Sequence, residues 1–170
     1  MIATFDKVVI DSGPLFTLLT LHCAMRTKRV SLLQKIDVDI RRSVSMQRAC
    51  LDLFRSIRSI LTTSHVIGEI QGLQTSRLGL RGEDFQGFWL GSMELLALSN
   101  FDERLLRLIE DGFQREDVRN NISAIGPTDA GLIELALREG CVLLTDDQRT
   151  LAPLAYRLGV DCGIFKTMLK

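Results

Sequence analysis

Short apolar runs alternate along this chain with longer segments in which apolar residues recur every three or four positions. A short run is typical of a buried strand, whereas the three-to-four spacing is typical of an amphipathic helix. The runs predict strands over residues 7–11, 60–63, 122–125, 141–145 and 160–163. Strands that alternate with helices in this way indicate an α/β fold built on a parallel sheet of about five strands.

The predicted helices begin and end at residues with capping preferences. Ser12, Ser64 and Thr128 stand where helices would begin, and a hydroxyl there can accept a hydrogen bond from a free backbone N–H. Gly140 follows the helix that Thr128 begins, as a left-handed terminal residue would. The most periodic helix carries an apolar stripe at Met46, Ala49, Cys50, Leu53, Phe54 and Ile57.

Three stretches are less regular. Glycines interrupt residues 75–93, where Phe85, Phe88 and Trp89 predict a short helix. Residues 93–98 are short and apolar, which fits either a strand or a buried connector. Asn100 or Asp102 is placed to cap a further helix that carries Leu105, Leu106 and Ile109.

The length and composition are those of one globular domain. The chain has 170 residues, of which 46% are hydrophobic and 25% charged. We therefore expect a single domain over residues 1–170, with no membrane span and no signal peptide, and the cytoplasm as its compartment. The four cysteines lack the paired spacing of a zinc site, so buried, reduced structural thiols are expected.

The net charge of zero conceals a basic segment. Residues 26–58 hold nine basic and three acidic side chains, about +6, and the rest of the chain carries about −6. Arginine suits bidentate phosphate contacts, so the segment is a candidate nucleic-acid surface. A solvated helical face that binds nothing explains the charge equally well. The candidate contacts are Arg26, Lys28, Arg29, Arg41 and Arg42.

Carboxylates stand at equivalent places after the predicted strands. Asp11 ends the first, Glu69 lies one turn into the helix after the second, Asp129 opens a later helix, and Asp146 and Asp147 follow the fourth. Each has an ordinary alternative as a helix cap, turn or surface residue. The carboxyl ends of parallel strands meet in one crevice, and carboxylates gathered there repel unless a cation holds them. Oxygen ligands favour Mg²⁺ or Mn²⁺.

Other catalytic chemistries are poorly supported. Neither histidine has a nucleophile partner, and no phosphate-binding glycine loop is present. His22 falls on an apolar helix face and is expected to pack there, whereas His65 lies near a strand end and is a candidate substrate contact. A phosphatase that uses Asp11 as nucleophile would usually carry a second Asp two residues later, where this chain has Gly13.

The segments VVIDSGPL, TTSHVIGEI, GPTDAGLIELALREG and VLLTDDQRTLAPLAYRLGV together resemble the PIN domain of VapC-type toxin ribonucleases. The resemblance implies a three-layer α/β/α sandwich with strand order 3-2-1-4-5. It implies a metal-binding quartet of Asp11, Glu69, Asp129 and Asp147, with Asp146 as a further ligand and Ser12 and Thr145 as supporting hydroxyls. The interval from Asp11 to Glu69 is longer than in the compact toxins, and the tail after residue 163 has no counterpart.

The resemblance also implies a function. A Mg²⁺- or Mn²⁺-dependent endoribonuclease would hydrolyse RNA phosphodiesters through a metal-activated water, and such enzymes are often homodimers. In a toxin–antitoxin pair, a small antitoxin would present an arginine to the carboxylates. The alternative is a catalytically inactive PIN-like module that binds nucleic acid or protein.

Overall fold

A parallel five-stranded sheet lies at the centre of the computed structural model, which describes residues 5–97, 101–104 and 115–169. Its strands are β1 (Lys7–Ile10), β2 (Ser59–Thr63), β3 (Phe101–Arg104), β4 (Val142–Thr145) and β5 (Cys162–Ile164). They are hydrogen-bonded in the order β3-β2-β1-β4-β5, and every neighbouring pair is parallel. The expected fold class and strand order are confirmed.

Helices cover both faces of the sheet and complete a three-layer α/β/α sandwich. They are α1 (Ser12–Thr27), α2 (Val38–Arg42), α3 (Val44–Ser56), α4 (Ser64–Ser76), α5 (Gly82–Ala97), α6 (Glu116–Glu139), α7 (Leu151–Arg157) and α8 (Phe165–Met168), with a 3₁₀ helix at Val30–Lys35. Helix α1 packs against α3, α4 and α5, whereas α6 crosses β1, β2 and β4. Across the described ranges, none of these helices combines the length and apolar character needed to cross a membrane.

The core explains why the apolar runs are continuous. Val8, Val9 and Ile10 of the central strand are fully buried, because helices cover both faces of a parallel sheet. Helix α1 is buried on almost every side between Pro14 and Leu21. A helix that is apolar all round belongs in the interior, and α1 thereby positions the residues at its beginning firmly against the sheet.

The third strand is not where the sequence predicts it. Residues 122–125 lie inside α6, and β3 pairs instead with β2, with Phe101 opposite Ile60. Val118, Ile122 and Ile125 are spaced four and three residues apart, so they share one helical face and pack inward. The short apolar run is therefore the end of a helical stripe.

Several local predictions also need correction. The cap of α1 is Asp11 rather than Ser12, and the cap of α4 is Thr63 rather than Ser64, because each helix begins directly at a strand end. Residues 82–97 form one helix, so residues 93–97 are neither strand nor connector. Asp102 lies in β3 and caps no helix. Asn100, Leu105, Leu106 and Ile109 lie outside the described residues.

The C-terminal tail, which the sequence left unassigned, is fastened to the domain. Helix α8 buries Phe165 completely in the core. The next residue, Lys166, forms an ion pair with Asp37 at 2.9 Å, and its backbone N–H donates to Asp146 at 3.0 Å. The tail therefore joins the end of β5 to the segment before α2 and to the loop after β4.

Two glycines are expected to respond oppositely to alanine. Gly140 ends α6 with φ 60°, a left-handed conformation that an L side chain disfavours, so Gly140→Ala should cost about 1 kcal/mol. Gly72 lies inside α4, and a methyl group there meets no atom within 4 Å. Gly72→Ala should therefore add about 0.5–1 kcal/mol through helix propensity. Urea denaturation of both variants tests this, and shifts of the same sign would contradict it.

Candidate functional site

Asp11 is held at the sheet edge by hydrogen bonds to both of its carboxylate oxygens. It lies between β1 and α1 and is only 8% exposed. Oδ1 accepts from the Ser12 N–H at 2.5 Å, and Oδ2 accepts from the Thr145 hydroxyl at 2.7 Å. Burial raises the Asp11 pKa, the bonds from Thr145 and Ser12 oppose that rise, and the charge of Glu69 adds to it.

Thr145 links two of the predicted acids. This buried residue ends β4, donates to Asp11 and accepts from the Asp147 N–H at 3.0 Å. Asp147 Oδ1 in turn accepts from the N–H groups of Arg149 and Thr150, at 2.9 Å each. Burial acts to raise the Asp147 pKa, but the backbone hydrogen bonds outweigh it and the pKa is lowered. One Asp147 oxygen is thus committed to the turn before α7.

Asp129 owes its position to a break in α6. Gly126 adopts φ 82° and interrupts the helix, and Pro127 restarts it because a proline needs no N–H partner in a first helical turn. Asp129 therefore enters the new first turn, which faces the ends of the strands. Thr128, predicted as the helix cap, lies within α6.

The carboxylates that act on Asp129 are the other three members of the predicted quartet. Burial and the charges of Asp11, Glu69 and Asp147 raise the Asp129 pKa to about 7. The same three acids were named from the sequence alone. Among the described residues, the Asp129 carboxylate has no hydrogen-bond or ion-pair partner, so nothing offsets this repulsion.

Glu69 approaches the cluster from α4. Its side chain is exposed, yet its charge acts on both Asp11 and Asp129. His65 lies four residues earlier and therefore on the same helical face. His65 remains a candidate substrate contact. His22 lies ten residues along α1 from Ser12, roughly 15 Å away, and is half-buried there.

Asp146 faces differently from its neighbour. Its Oδ1 accepts from the Lys166 N–H, and burial raises its pKa, with Lys166 opposing the rise and Asp37 and Asp11 adding to it. The side chain thus contacts the C-terminal tail. Its predicted role as a further metal ligand remains a prediction.

The donor chemistry of the cluster suits a hard divalent cation, but its arrangement is incomplete. Carboxylate oxygens are the preferred ligands of Mg²⁺ and Mn²⁺. Across residues 5–97, 101–104 and 115–169, however, no three Asp, Glu, His or Cys side chains are arranged as ready metal ligands. One oxygen of Asp147 is already engaged by the N–H groups of Arg149 and Thr150.

Two of the basic residues singled out from the sequence form ion pairs with α5 instead of facing the acids. Arg26 and Arg29 form ion pairs with Glu94 and Asp84 of α5, each at 2.6 Å. Arg26 lies 14 residues along α1 from Ser12, roughly 21 Å away. These arginines fasten α1 and its end to α5. The remaining three candidates are Lys28 and Arg42, which are exposed, and Arg41, which donates to the Gln34 carbonyl.

Cations that the sequence did not single out lie beside the acids instead. Lys35, Arg77 and Lys166 line one cavity of about 370 Å³, together with Gly13 and Asp146. They come from the 3₁₀ helix, the end of α4 and α8, so no spacing in the sequence connects them. Only the fold brings them together.

The Thr145 hydroxyl is expected to be the organising group of the site. Thr145→Val removes a donor to Asp11 and an acceptor for the Asp147 N–H, which should cost about 2 kcal/mol near neutral pH and less in acid, where Asp11 is protonated. The Asp11 pKa should rise further, since the lost bond lowers it. Urea denaturation and carboxylate NMR titration measure both effects. Thr145→Ser is the control, because it keeps the hydroxyl and should retain the Asp11 pKa. A Thr145→Val variant with unchanged stability and an unchanged Asp11 pKa would contradict the role of the hydroxyl.

The chain matches no protein-family model and no curated protein sequence. The resemblance to PIN domains therefore depends on the four sequence segments described above. The strand order agrees with what that resemblance implies, but topology alone does not assign a function.

Proposed function

We propose that this protein is a metal-dependent ribonuclease whose site is the crevice between Asp11, Glu69, Asp129 and Asp147. The observation that carries the proposal is that Asp129 is partly buried and lies close enough to Asp11, Glu69 and Asp147 for their charges, together with burial, to raise its pKa. Perturbed carboxylates in a crevice are typical of catalytic and metal-binding sites. Within residues 5–97, 101–104 and 115–169 Asp129 has no partner, and such a carboxylate is costly to the fold, which favours a functional reason for its presence.

Asp11, Glu69 and Asp129 are the residues that would hold a divalent ion, with Asp147 beside them. A bound Mg²⁺ or Mn²⁺ supplies Lewis-acid stabilisation of a phosphoryl oxygen and lowers the pKa of a water nucleophile. Thr145 and Ser12 fix the Asp11 carboxylate, so this ligand is preorganised. Glu69 and Asp129 accept no such hydrogen bonds among the described residues.

A second candidate is a PIN-like binding module without catalysis. Asp11 and Asp147 already accept hydrogen bonds from Ser12, Thr145, Arg149 and Thr150. In the described ranges no three ligands are ready for a metal. Both observations are also compatible with carboxylates that serve only as caps at the ends of two strands.

Incubation of the purified chain with single-stranded RNA, with and without Mg²⁺ or Mn²⁺, separates the two candidates. The ribonuclease should cleave only when metal is present, and a chelator should stop it. Isothermal titration with Mn²⁺ should give a saturable heat that is lost in Glu69→Gln. Intact RNA together with a silent titration at millimolar metal would favour the binding module.

A further inference from the structure

The cavity of about 370 Å³ beside the acids has a cationic wall. It shares Gly13 and Asp146 with the edge of the carboxylate cluster, since these residues follow Ser12 and precede Asp147. Its charged lining also includes Asp37, Lys35, Arg77 and Lys166. Three cations against two carboxylates give this cavity a positive balance, directly next to a negative cluster.

One ion pair inside the cavity leaves two of its three cations for a ligand. Lys166 is engaged with Asp37 at 2.9 Å, and its N–H satisfies an oxygen of Asp146. Lys35 and Arg77 are exposed, and within the described parts of the chain neither has an acidic partner. An ammonium and a guanidinium repel metal ions and attract anions, and a guanidinium matches two oxygens of one phosphate.

A second cavity adjoins the first. Lys35 lines both the cavity beside the acids and a neighbouring cavity of about 310 Å³ that is bounded by Gln34, Leu78 and Gly79. The two cavities therefore adjoin at Lys35, between the 3₁₀ helix and the end of α4, and together they are called the groove here. Arg29 and Asp84, which form an ion pair with each other, also line the second cavity. A groove of this kind suits an extended, repeating anion better than a compact one.

We propose that this groove binds the RNA backbone, with Lys35 and Arg77 contacting a phosphate adjacent to the one at the carboxylate cluster. The proposal rests on the proposed function for the identity of the strand as a substrate. Phosphate contacts fix the register of a nucleic acid without reading its sequence. Lys35 and Arg77 would accordingly determine where the strand lies across the acids, and Lys166 would keep the groove wall in place through Asp37.

RNA binding without cleavage tests this proposal. In an Asp129→Asn background with chelator, anisotropy of a short fluorescein-labelled oligouridylate gives the Kd at salt concentrations from about 50 to 200 mM. The double variant Lys35→Gln/Arg77→Gln should weaken binding about 10-fold or more at low salt. Its salt dependence should flatten by about 0.7 in log–log slope, as expected when one phosphate of a single strand is no longer neutralised.

A matched control removes the same charge elsewhere. Arg48→Gln/Arg157→Gln changes two exposed arginines on α3 and at the far end of α7, and it should stay within about two-fold of the parent. Equal losses of RNA affinity in both double variants would mean that only the overall charge matters, and would contradict the proposal that the groove binds RNA. Unchanged binding in Lys35→Gln/Arg77→Gln would overturn it directly. A polyglutamate peptide that binds as tightly as the RNA and needs the same two cations would reassign the groove to acidic peptides.

The experiments distinguish failure of the RNA-binding groove from failure of the proposed ribonuclease activity. A parent protein that never cleaves RNA, combined with a loss of RNA binding confined to Lys35→Gln/Arg77→Gln, would refute the ribonuclease and leave the groove as an RNA site. Metal-dependent cleavage with an unchanged KM in that variant would retain the ribonuclease and refute the groove.

Discussion

Asp129→Asn is expected to reduce the rate of metal-dependent RNA cleavage at least about 100-fold. The same substitution should make the metal-free protein more stable. Activity should fall because the variant removes a carboxylate from the proposed ligand set. Stability should rise because Asp129 is repelled by Asp11, Glu69 and Asp147 and has no partner among the described residues to offset that repulsion. Opposite signs for activity and stability are characteristic of a residue retained for function.

The stability gain should depend on pH. The folded-state pKa of about 7 lies above the ordinary value of 3.8, so the unfolded chain loses its proton first as pH rises. The wild type is therefore penalised progressively between about pH 4 and pH 7, and fully above that range. With allowance for solvent screening of this partly exposed group, the advantage of Asp129→Asn should be about 1–2 kcal/mol larger at pH 8 than at pH 4.

Urea denaturation at the two pH values, without metal, measures this difference. Asp161→Asn is the matched control, because Asp161 is exposed and precedes β5 at the opposite edge of the sheet. It should change neither cleavage nor the pH dependence. A destabilising Asp129→Asn at pH 8 would contradict the repulsion, and full cleavage by this variant would remove Asp129 from the site. Asp11→Asn is a less clean test, because its amide would face donors from Ser12 or Thr145.

Phe165→Ala is expected to cause the largest loss of stability, about 3–5 kcal/mol. The Phe165 ring is fully buried, so its removal leaves a cavity that the surrounding core cannot close completely. Since α8 also carries Lys166, the contacts from Lys166 to Asp37 and Asp146 should loosen together with it. A loss of this size is a large share of the stability of a small domain.

The midpoint of urea denaturation measures that loss, with the slope of the transition showing whether unfolding stays cooperative. Tyr156→Ala provides the control, because it truncates an aromatic ring that is 74% exposed and should change stability by less than about 0.5 kcal/mol. Similar midpoints for the two variants would mean that the tail does not anchor the domain.

Sequence patterns placed the two central strands correctly and missed the edge strand β3. β1 and β4 are continuous apolar runs at the centre of the sheet and were placed correctly to within a residue. β3 consists of Phe101 followed by three charged residues, so neither apolar content nor alternation marks it as a strand. Its pairing with β2 is a tertiary property.

In the candidate site, the sequence predicted the acidic residues but not the neighbouring cations. The acids follow strands or open helices, so chain order and parallel topology suffice to predict that they converge on one edge. The coupling of Asp129 to Asp11, Glu69 and Asp147 agrees with that prediction. The cations Lys35, Arg77 and Lys166 lie on unrelated elements, and their proximity depends on the path of the 3₁₀ helix and the tail. The density of basic residues along the chain indicated Arg26 and Arg29 instead, but these form ion pairs with Glu94 and Asp84 of α5.

The composition of β3 has a consequence for self-association. As the outermost strand beside β2, it exposes Glu103 and Arg104, and Asp102 is held to Arg104 at 2.8 Å. A second copy that tried to lengthen the sheet there would have to strip water from two carboxylates and a guanidinium, which disfavours edge-to-edge aggregation. Pairing of two copies is therefore disfavoured along β3, and this side of the sheet should stay hydrated.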